Sequence, residues 1–223
     1  MQKFDTPAAV TAIVDIPAGN IRLIAADRTD TTVEVLPANA GSSRDAKAAE
    51  KIDVSYDNGI VRVQLAQPAP RILGNSGSVE VTVQLPAGSR VEAKAALAEL
   101  RGVGRLGDVT FEGQQASVKL DETAAAHLTL QSGDITVGRL NGDSELSTQK
   151  GDLTVTDAVA GNLTLRTQHG NLTVDAARGT SATLDAGTDY GRVHNSLKNA
   201  DGADATLNIH ATTSFGNITA RSL

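Results

Sequence analysis

Apolar and polar residues alternate along nearly the whole chain, and from Gly133 onward the alternation comes in near-identical packets. The segments "GDITV" (133–137), "GDLTV" (151–155) and "GNLTV" (170–174) recur, with offset copies "GDSEL" (142–146) and "GNLTL" (161–165) between them. Glycines therefore fall at 133, 142, 151, 161, 170 and 179, a step of nine or ten residues. In "GDITV", Ile135 and Val137 face one side of an extended segment while Asp134 and Thr136 face the other, the period-two signature of a half-buried strand. Glycine takes positive φ at no steric cost, and a following Asp or Asn tolerates turn geometry and bonds its own backbone, so each Gly-Asx pair marks a corner. Two such corner-and-strand units total 18 to 19 residues, as from Gly133 to Gly151 and from Gly151 to Gly170. Self-similarity at that period predicts stacked coils, with Ile135, Leu153 and Leu172 in one inward column and Val137, Val155 and Val174 in another. Burying each such side chain is worth roughly 1.5–3 kcal/mol. A lone coil has nothing to bury it against, so neighbours must stabilise one another.

Upstream, the alternation comes in longer runs. Val10, Ala12, Val14 and Ile16 lead into Pro17-Ala18-Gly19, which suits a type I turn, and Ile21, Leu23, Val33 and Val35 continue the pattern to Pro37. Ser42, three residues before Asp45, is placed to cap a short helix from Ser43 to Lys51. Ile52, Val54 and Tyr56 meet Ile60, Val61, Val63 and Leu65 across Asn58-Gly59, the strongest short-range hairpin signal. Gln67 to Ser78, with two prolines and two glycines, predicts a loop, and Val79, Val81, Val83 and Leu85 a strand that ends in Pro86-Ala87-Gly88. Ala93 to Arg101, "AKAALAELR", has the composition of a helix and the position of a strand entering the repeats. Position decides, and a strand is expected. The repeats run from Gly107 to Leu184, then loosen through "DYGRVHNSL" (189–197) and a polar insert into "ATLNIHATTSFGNITARSL" (205–223), an irregular last coil of the kind a terminal cap requires. The expected architecture is all-β: a β-solenoid of stacked 18–21-residue coils over 101–223, preceded over 1–100 by an antiparallel β cap with hairpins, together one continuous unit.

Composition narrows the chemistry. Only Phe4, Phe111, Phe215, Tyr56 and Tyr190 are aromatic, which suits narrow coils filled by aliphatic and small side chains. A net charge of −6 with no basic run gives neither nucleic acid nor an anionic membrane surface a source of attraction. The absence of cysteine excludes disulfide frameworks and thiolate metal sites. Met1-Gln2-Lys3-Phe4-Asp5 opens no apolar leader, and no stretch reaches the roughly 18 apolar residues of a membrane span. A soluble, cytoplasmic protein without membrane insertion is the expectation.

Several residue groups bear weighing as sites. Gly102, Gly104 and Gly107 spell G-x-G-x-x-G, but the dinucleotide fingerprint needs a helix next and "DVTF" (108–111) is a strand. Asp134 and Asp152, continued by Asn171, would stack in one column attractive to a hard cation such as calcium. The calcium nonapeptide pattern is absent, however, and corner chemistry explains the acids, so no metal and no cofactor is expected. His127, His169, His194 and His210 are scattered, and the best catalytic constellation, Lys150, Asp152, Arg166 and His169, reads more simply as solvated charge. No catalytic residue is assigned. The most regular exposed feature is a threonine column, Thr136, Thr154 and Thr173, the candidate interaction face, with Thr129, Thr164 and Thr183 on other strands and Glu145 interrupting that second set. Threonine is also simply a good β-former on a solvated face.

The segments "DIPAGNIRL" (15–23), "AADRTDTTVEVLPAN" (25–39), "VEVTVQLPAGSRVEAK" (79–94), the Gly-Asp units, "TDYGRVHNSL" (188–197) and "TSFGNITAR" (213–221) together cover essentially the whole chain. On these the chain resembles the bacterial DUF4097 family of adhesin-like β-strand repeat proteins. The resemblance implies an all-β repeat fold with no assigned enzymatic reaction or defined ligand. The functional expectation is a non-catalytic binding or scaffold module acting through one long face on a protein or glycan partner, with homo-oligomeric pairing through faces or ends open to it. The alternatives are a carbohydrate-active enzyme on the same scaffold and a calcium-stabilised structural protein.

Overall fold

A computed structural model describes residues 1–66 and 77–223, and the chain divides into two compact units, Met1–Ala116 and Ser117–Leu223. The loop expected over Gln67–Ser78 lies, except for Gly77 and Ser78, outside the described residues. The first unit holds β1 (Gln2–Asp5), β2 (Thr11–Ala26), β3 (Asp30–Pro37), α1 (Ser43–Glu50), β4 (Ile52–Asp57), β5 (Ile60–Leu65), β6 (Val79–Pro86) and the first part of β7 (Arg90–Ser132).

Strand β2 is its axis, with Ala12, Val14, Ile16, Ile21 and Leu23 buried in alternation. On one side its first half pairs parallel with β5 (Val14 opposite Val63) and its second half parallel with β6 (Leu23 opposite Val83). On the other side β7 runs parallel to it (Ala12 opposite Val91, Ile21 opposite Leu100). The expected antiparallel cap is therefore confined to the margin, where β4 pairs antiparallel with β5, and β3 antiparallel with β6 and β1. Alternation looks the same in either sense of pairing, so the sequence pattern does not separate them.

Local signals fare well. Ser42 Oγ accepts the Asp45 amide at 3.3 Å at the start of α1. Asn58 and Gly59 take φ of 49° and 79°, the positive pair a type I′ hairpin needs. Residues 93–101 are strand, as position required. Pro17-Ala18-Gly19, by contrast, makes no turn. It runs on as strand inside β2, where a Cβ on Gly19 would stand 1.8 Å from the Val79 carbonyl oxygen. The matching Pro86-Ala87-Gly88 does turn, with the Ser89 amide donating to Pro86 O at 3.3 Å. The neighbouring strand, not the tripeptide, selects between the two.

The second unit holds the rest of β7, then β8 (Ile135–Leu140), β9 (Ser144–Lys150), β10 (Leu153–Ala158), β11 (Gly161–His169), β12 (Leu172–Ala176), β13 (Ala182–Tyr190), β14 (Val193–Ser196), a 3-10 turn (Gly202–Asp204), β15 (Leu207–Phe215) and β16 (Ile218–Ser222). Its strands stack in parallel. Leu153 lies opposite both Ile135 and Leu172, and Val155 opposite both Val137 and Val174. All six are at most 1% exposed, so the inward columns form as the repeat predicts. Leu128, Leu146 and Leu165 align likewise on the other leg. Neither unit closes into a barrel: among the described residues β1 pairs only with β3, β4 only with β5, β13 only with β15 and β14 only with β16.

Order in the stack departs from order in the chain. Strand β15 lies between β11 and β13, and β16 between β12 and β14. The last coil in sequence, expected as the cap, is therefore internal, and the coil 182–196 is outermost. Two of the inward columns end in small or polar residues at the outermost coil, while others keep Leu184 opposite Ile209 and Val193 opposite Ile218. Val174 is followed by Ala220 and then Asn195, and Leu165 by Ala211 and then Ala186. Small and polar residues suit a coil with nothing beyond it, whereas Leu207, Ile209 and Ile218 need cover on both sides.

In the first unit, Arg28 Nε donates to Asp30 Oδ1 at 2.9 Å and Lys3 Nζ lies 3.1 Å from Asp30 Oδ2, tying β1 to β3. The Arg28 hydrogen bond, and after it that of Lys3, holds the Asp30 carboxyl down at about 2. A carboxyl lowered on folding adds stability that is complete above its unfolded value near about 4 and is lost as pH falls through about 2. Asp30→Asn should therefore destabilise the protein near neutral pH and match wild type once the pH drops below about 2. Urea titrations across that window check it, and a difference that does not shrink with acid would contradict it.

Candidate functional site

Each coil of the second unit turns at a glycine. Gly133, Gly151, Gly170 and Gly216 have φ of 127°, 146°, 155° and 151°. Their amides donate across the stack to Lys150 O, His169 O, Phe215 O and Tyr190 O at 2.8–3.0 Å. No side chain fits there, since a Cβ on Gly170 would stand 1.9 Å from Gly151 O. The glycine carbonyls are bonded in turn by threonines: Thr148 Oγ1 donates to Gly133 O (3.3 Å), Thr167 to Gly151 O (3.1 Å), Thr213 to Gly170 O (3.1 Å) and Thr188 to Gly216 O (3.0 Å). Each of these threonines stands three residues before its own coil's glycine, in "TQKG", "TQHG", "TSFG" and "TDYG". That T-x-x-G spacing is the signal missed above, because alternation alone registers threonine only as a strand former.

One residue past each glycine runs a second ladder. Asp134 Oδ1 accepts the Asp152 amide at 2.8 Å, Asp152 Oδ1 that of Asn171 at 2.7 Å, Asn171 Oδ1 that of Asn217 at 3.0 Å and Asn217 Oδ1 that of Arg192 at 3.0 Å. Each side chain of the column weighed as a calcium site thus gives one oxygen, Oδ1, to the next coil's backbone. Among the described residues no three His, Asp or Glu side chains group as metal ligands. One residue before the glycines, the rings of His169, Phe215 and Tyr190 stack with centroids 4.9 Å apart at each step and planes within 9°.

The residues of the catalytic constellation fall on two neighbouring coils. Lys150 and His169 are register partners, Asp152 is bonded to Asn171, and Arg166 lies between Ser147 and Thr212 on the strand face. His127 stands opposite Glu145, His194 opposite Thr219, and His210 Nδ1 is 2.9 Å from Asp185 Oδ2. In the first unit, Gly104, at φ 80°, lets β7 pass where a Cβ would be 2.1 Å from Ala25 O, a close backbone approach within a strand.

Thr136, Thr154 and Thr173 do share one register column, on β8, β10 and β12, and Thr219 on β16 extends it. Lys119 flanks it at one end and His194 at the other. At a strand spacing of about 4.8 Å the four threonines span about 14 Å. All four are half-buried, and among the described residues their hydroxyls have no hydrogen-bond partner. Thr148, Thr167, Thr188 and Thr213 are committed to glycine carbonyls and the four threonines of this column are not, although Thr156, outward on β10, donates to Gly138 O at 3.0 Å. The strip is bounded on one side by the Asp/Asn ladder and on the other by ion pairs, Arg139 with Asp157, and Arg221 with both oxygens of Asp175 at 2.7 and 2.8 Å. Thr129, Thr164 and Thr183 form no second column, being opposite Ser147, Glu145 with His210, and Asn208 respectively.

A family model described as Toastrack DUF4097 matches residues 9–220. No curated protein matches the chain. Among solved structures the chain is similar to a "putative adhesin" from Bacteroides fragilis, at 13% identity and TM-score 0.44, covering 98% of this chain and 95% of that one. It is also similar to a "putative lipid binding protein" from Parabacteroides distasonis, at 10% identity and TM-score 0.44 with 98% and 95% covered. A "putative cell adhesion protein" from Clostridium sporogenes matches at 11% identity and TM-score 0.38, with 100% and 98% covered.

The two classes of threonine should separate on substitution. Thr167→Val removes only the hydroxyl that bonds Gly151 O and should cost about 1 kcal/mol, whereas Thr154→Val should stay within about 0.5 kcal/mol of wild type. Denaturant unfolding of both variants measures this, and equal effects would contradict the division.

Proposed function

This chain belongs to the Toastrack DUF4097 family, and we propose that it is a non-catalytic β-solenoid binding or scaffold module whose binding face centres on Thr136, Thr154 and Thr173. The observation that carries this reading is the register column of threonine hydroxyls that have no hydrogen-bond partner among the described residues. A hydroxyl both donates and accepts, and a rigid strip loses little conformational freedom when a partner docks. The chemistry suits an extended, uncharged partner that repeats hydroxyls or amides along its length, a glycan or an extended protein segment. The net charge of −6 favours neither nucleic acid nor an anionic bilayer. Among the described residues no helix is long and apolar enough to cross a membrane. The reading as a carbohydrate-active enzyme draws less support, since Asp152 is bonded to the Asn171 amide and His169 is stacked on Phe215.

The experiment pairs wild type with the triple variant Thr136→Lys, Thr154→Lys, Thr173→Lys, both verified as folded, on glycan arrays and in capture from lysate. Retention by wild type and loss in the variant is the expected result. A ligand held equally by both, or none held by wild type, would overturn the assignment of this face.

A further inference from the structure

The position occupied by the C-terminal coil is a chemically particular slot. Its walls are β11 and β12 on one side and β13 and β14 on the other. The ring of Phe215 is stacked between His169 and Tyr190. Thr213 of the insert donates to Gly170 O of one wall, and Thr188 of the other wall donates to Gly216 O of the insert. Asn217 bonds Asn171 through its amide and Arg192 through its side chain. Arg221 forks onto both oxygens of Asp175, whose side chain is 7% exposed; a carboxylate so buried is costly without its guanidinium. Leu207, Ile209, Ala211, Ile218 and Ala220 complete the inward columns, each at most 2% exposed. The slot therefore specifies a segment of the form L-x-I-x-A-x-T-x-F-G-N-I-x-A-R, which is 207–221 of this chain.

Its two walls are consecutive in sequence. Gly161 and Ala182 both stand opposite Leu207, and Leu172 and Val193 both stand opposite Ile218. The walls thus share a single frame and are complete by Ser196, before the insert begins. The start of the connection is pinned, with Lys198 O accepting the Ala182 amide and Ser181 Oγ accepting those of Ala200 and Asp201. Past Gly202, at φ 62°, the chain leads into the insert. The insert's recognition chemistry lies in the insert and the walls, and none of the bonds named above depends on the insert's being joined to the same chain.

We propose that two copies of this chain exchange their C-terminal coils, β15 and β16 of each filling the slot of the other. Thr206 already belongs to the seated insert, its carbonyl accepting the Gly161 amide and its hydroxyl donating to Ser181 O, so exchange reproduces every bond named above and alters only the path of residues 202–205; its cost is that of association and it is favoured by concentration. It does not rest on the threonine face, although Thr219 of that column would then come from the second copy.

The chain has no cysteine, so engineered thiols report the exchange. Arg166 and Thr212 are outward register partners on β11 and β15. Arg166→Cys and Thr212→Cys are placed on separate, differently tagged chains, which are mixed unfolded, refolded together and treated with a short thiol-to-thiol crosslinker. Exchange predicts a covalent heterodimer that rises with protein concentration, several-fold above the dimer formed by Arg166→Cys chains alone. A chain carrying both substitutions should crosslink internally when dilute, which shows that the insert is seated. Internal crosslinking in that double variant, with no heterodimer above the control at any concentration, would overturn the proposal. Thr164→Cys with His210→Cys, a second register pair, is read in the same way if the first disturbs folding.

Discussion

A corner glycine in the second unit cannot satisfy its own backbone. Its amide needs a carbonyl from the next coil, its carbonyl needs a threonine hydroxyl, and the amide after it needs an Asp or Asn oxygen from the neighbour. Because unpaired polar groups are costly once removed from water, a coil is complete only when another lies against it in one register. A slip of one residue would turn Leu153 and Val155 outward and leave Thr167 without Gly151 O. The aliphatic columns supply most of the burial, and the corners decide which residue meets which.

The same constraint shapes what the surface offers. Where a side chain faces a corner it is consumed by the ladder, as with Asp134, Asp152 and Asn171. Thr136, Thr154 and Thr173, facing outward from mid-strand, are held in place by the backbone, and among the described residues their hydroxyls have no partner. Rigidity and unspent hydrogen-bonding capacity thus come from one arrangement. The ladders end where the sequence stops feeding them: Arg192 stands at the Asp/Asn position, and Asn195 at an inward position.

The columns of Leu and Val, the Asn58-Gly59 hairpin, the Ser42 cap and the threonine column were all legible in the sequence, because each depends on spacing within a few residues or on the 18-to-19-residue repeat. The sense of pairing around β2 was not, since alternation is identical for parallel and antiparallel neighbours. The place of the last coil was also hidden: "TDYG" and "TSFG" offer the same corner chemistry, so local pattern accepts either next to "TQHG". What separates them is non-local, namely the larger inward residues of β15 and β16 and the need of Asp175 for Arg221. Thr219 escaped for the same reason, lying opposite Thr173 but 46 residues beyond it.

The order of the coils is what the ladders most directly dictate, and interstrand backbone proton contacts measured by NMR in solution test it. Contacts between Leu172 and Ile218, and between Ile218 and Val193, are the predicted result. Direct contacts between Leu172 and Val193, with Ile218 remote from both, would contradict it.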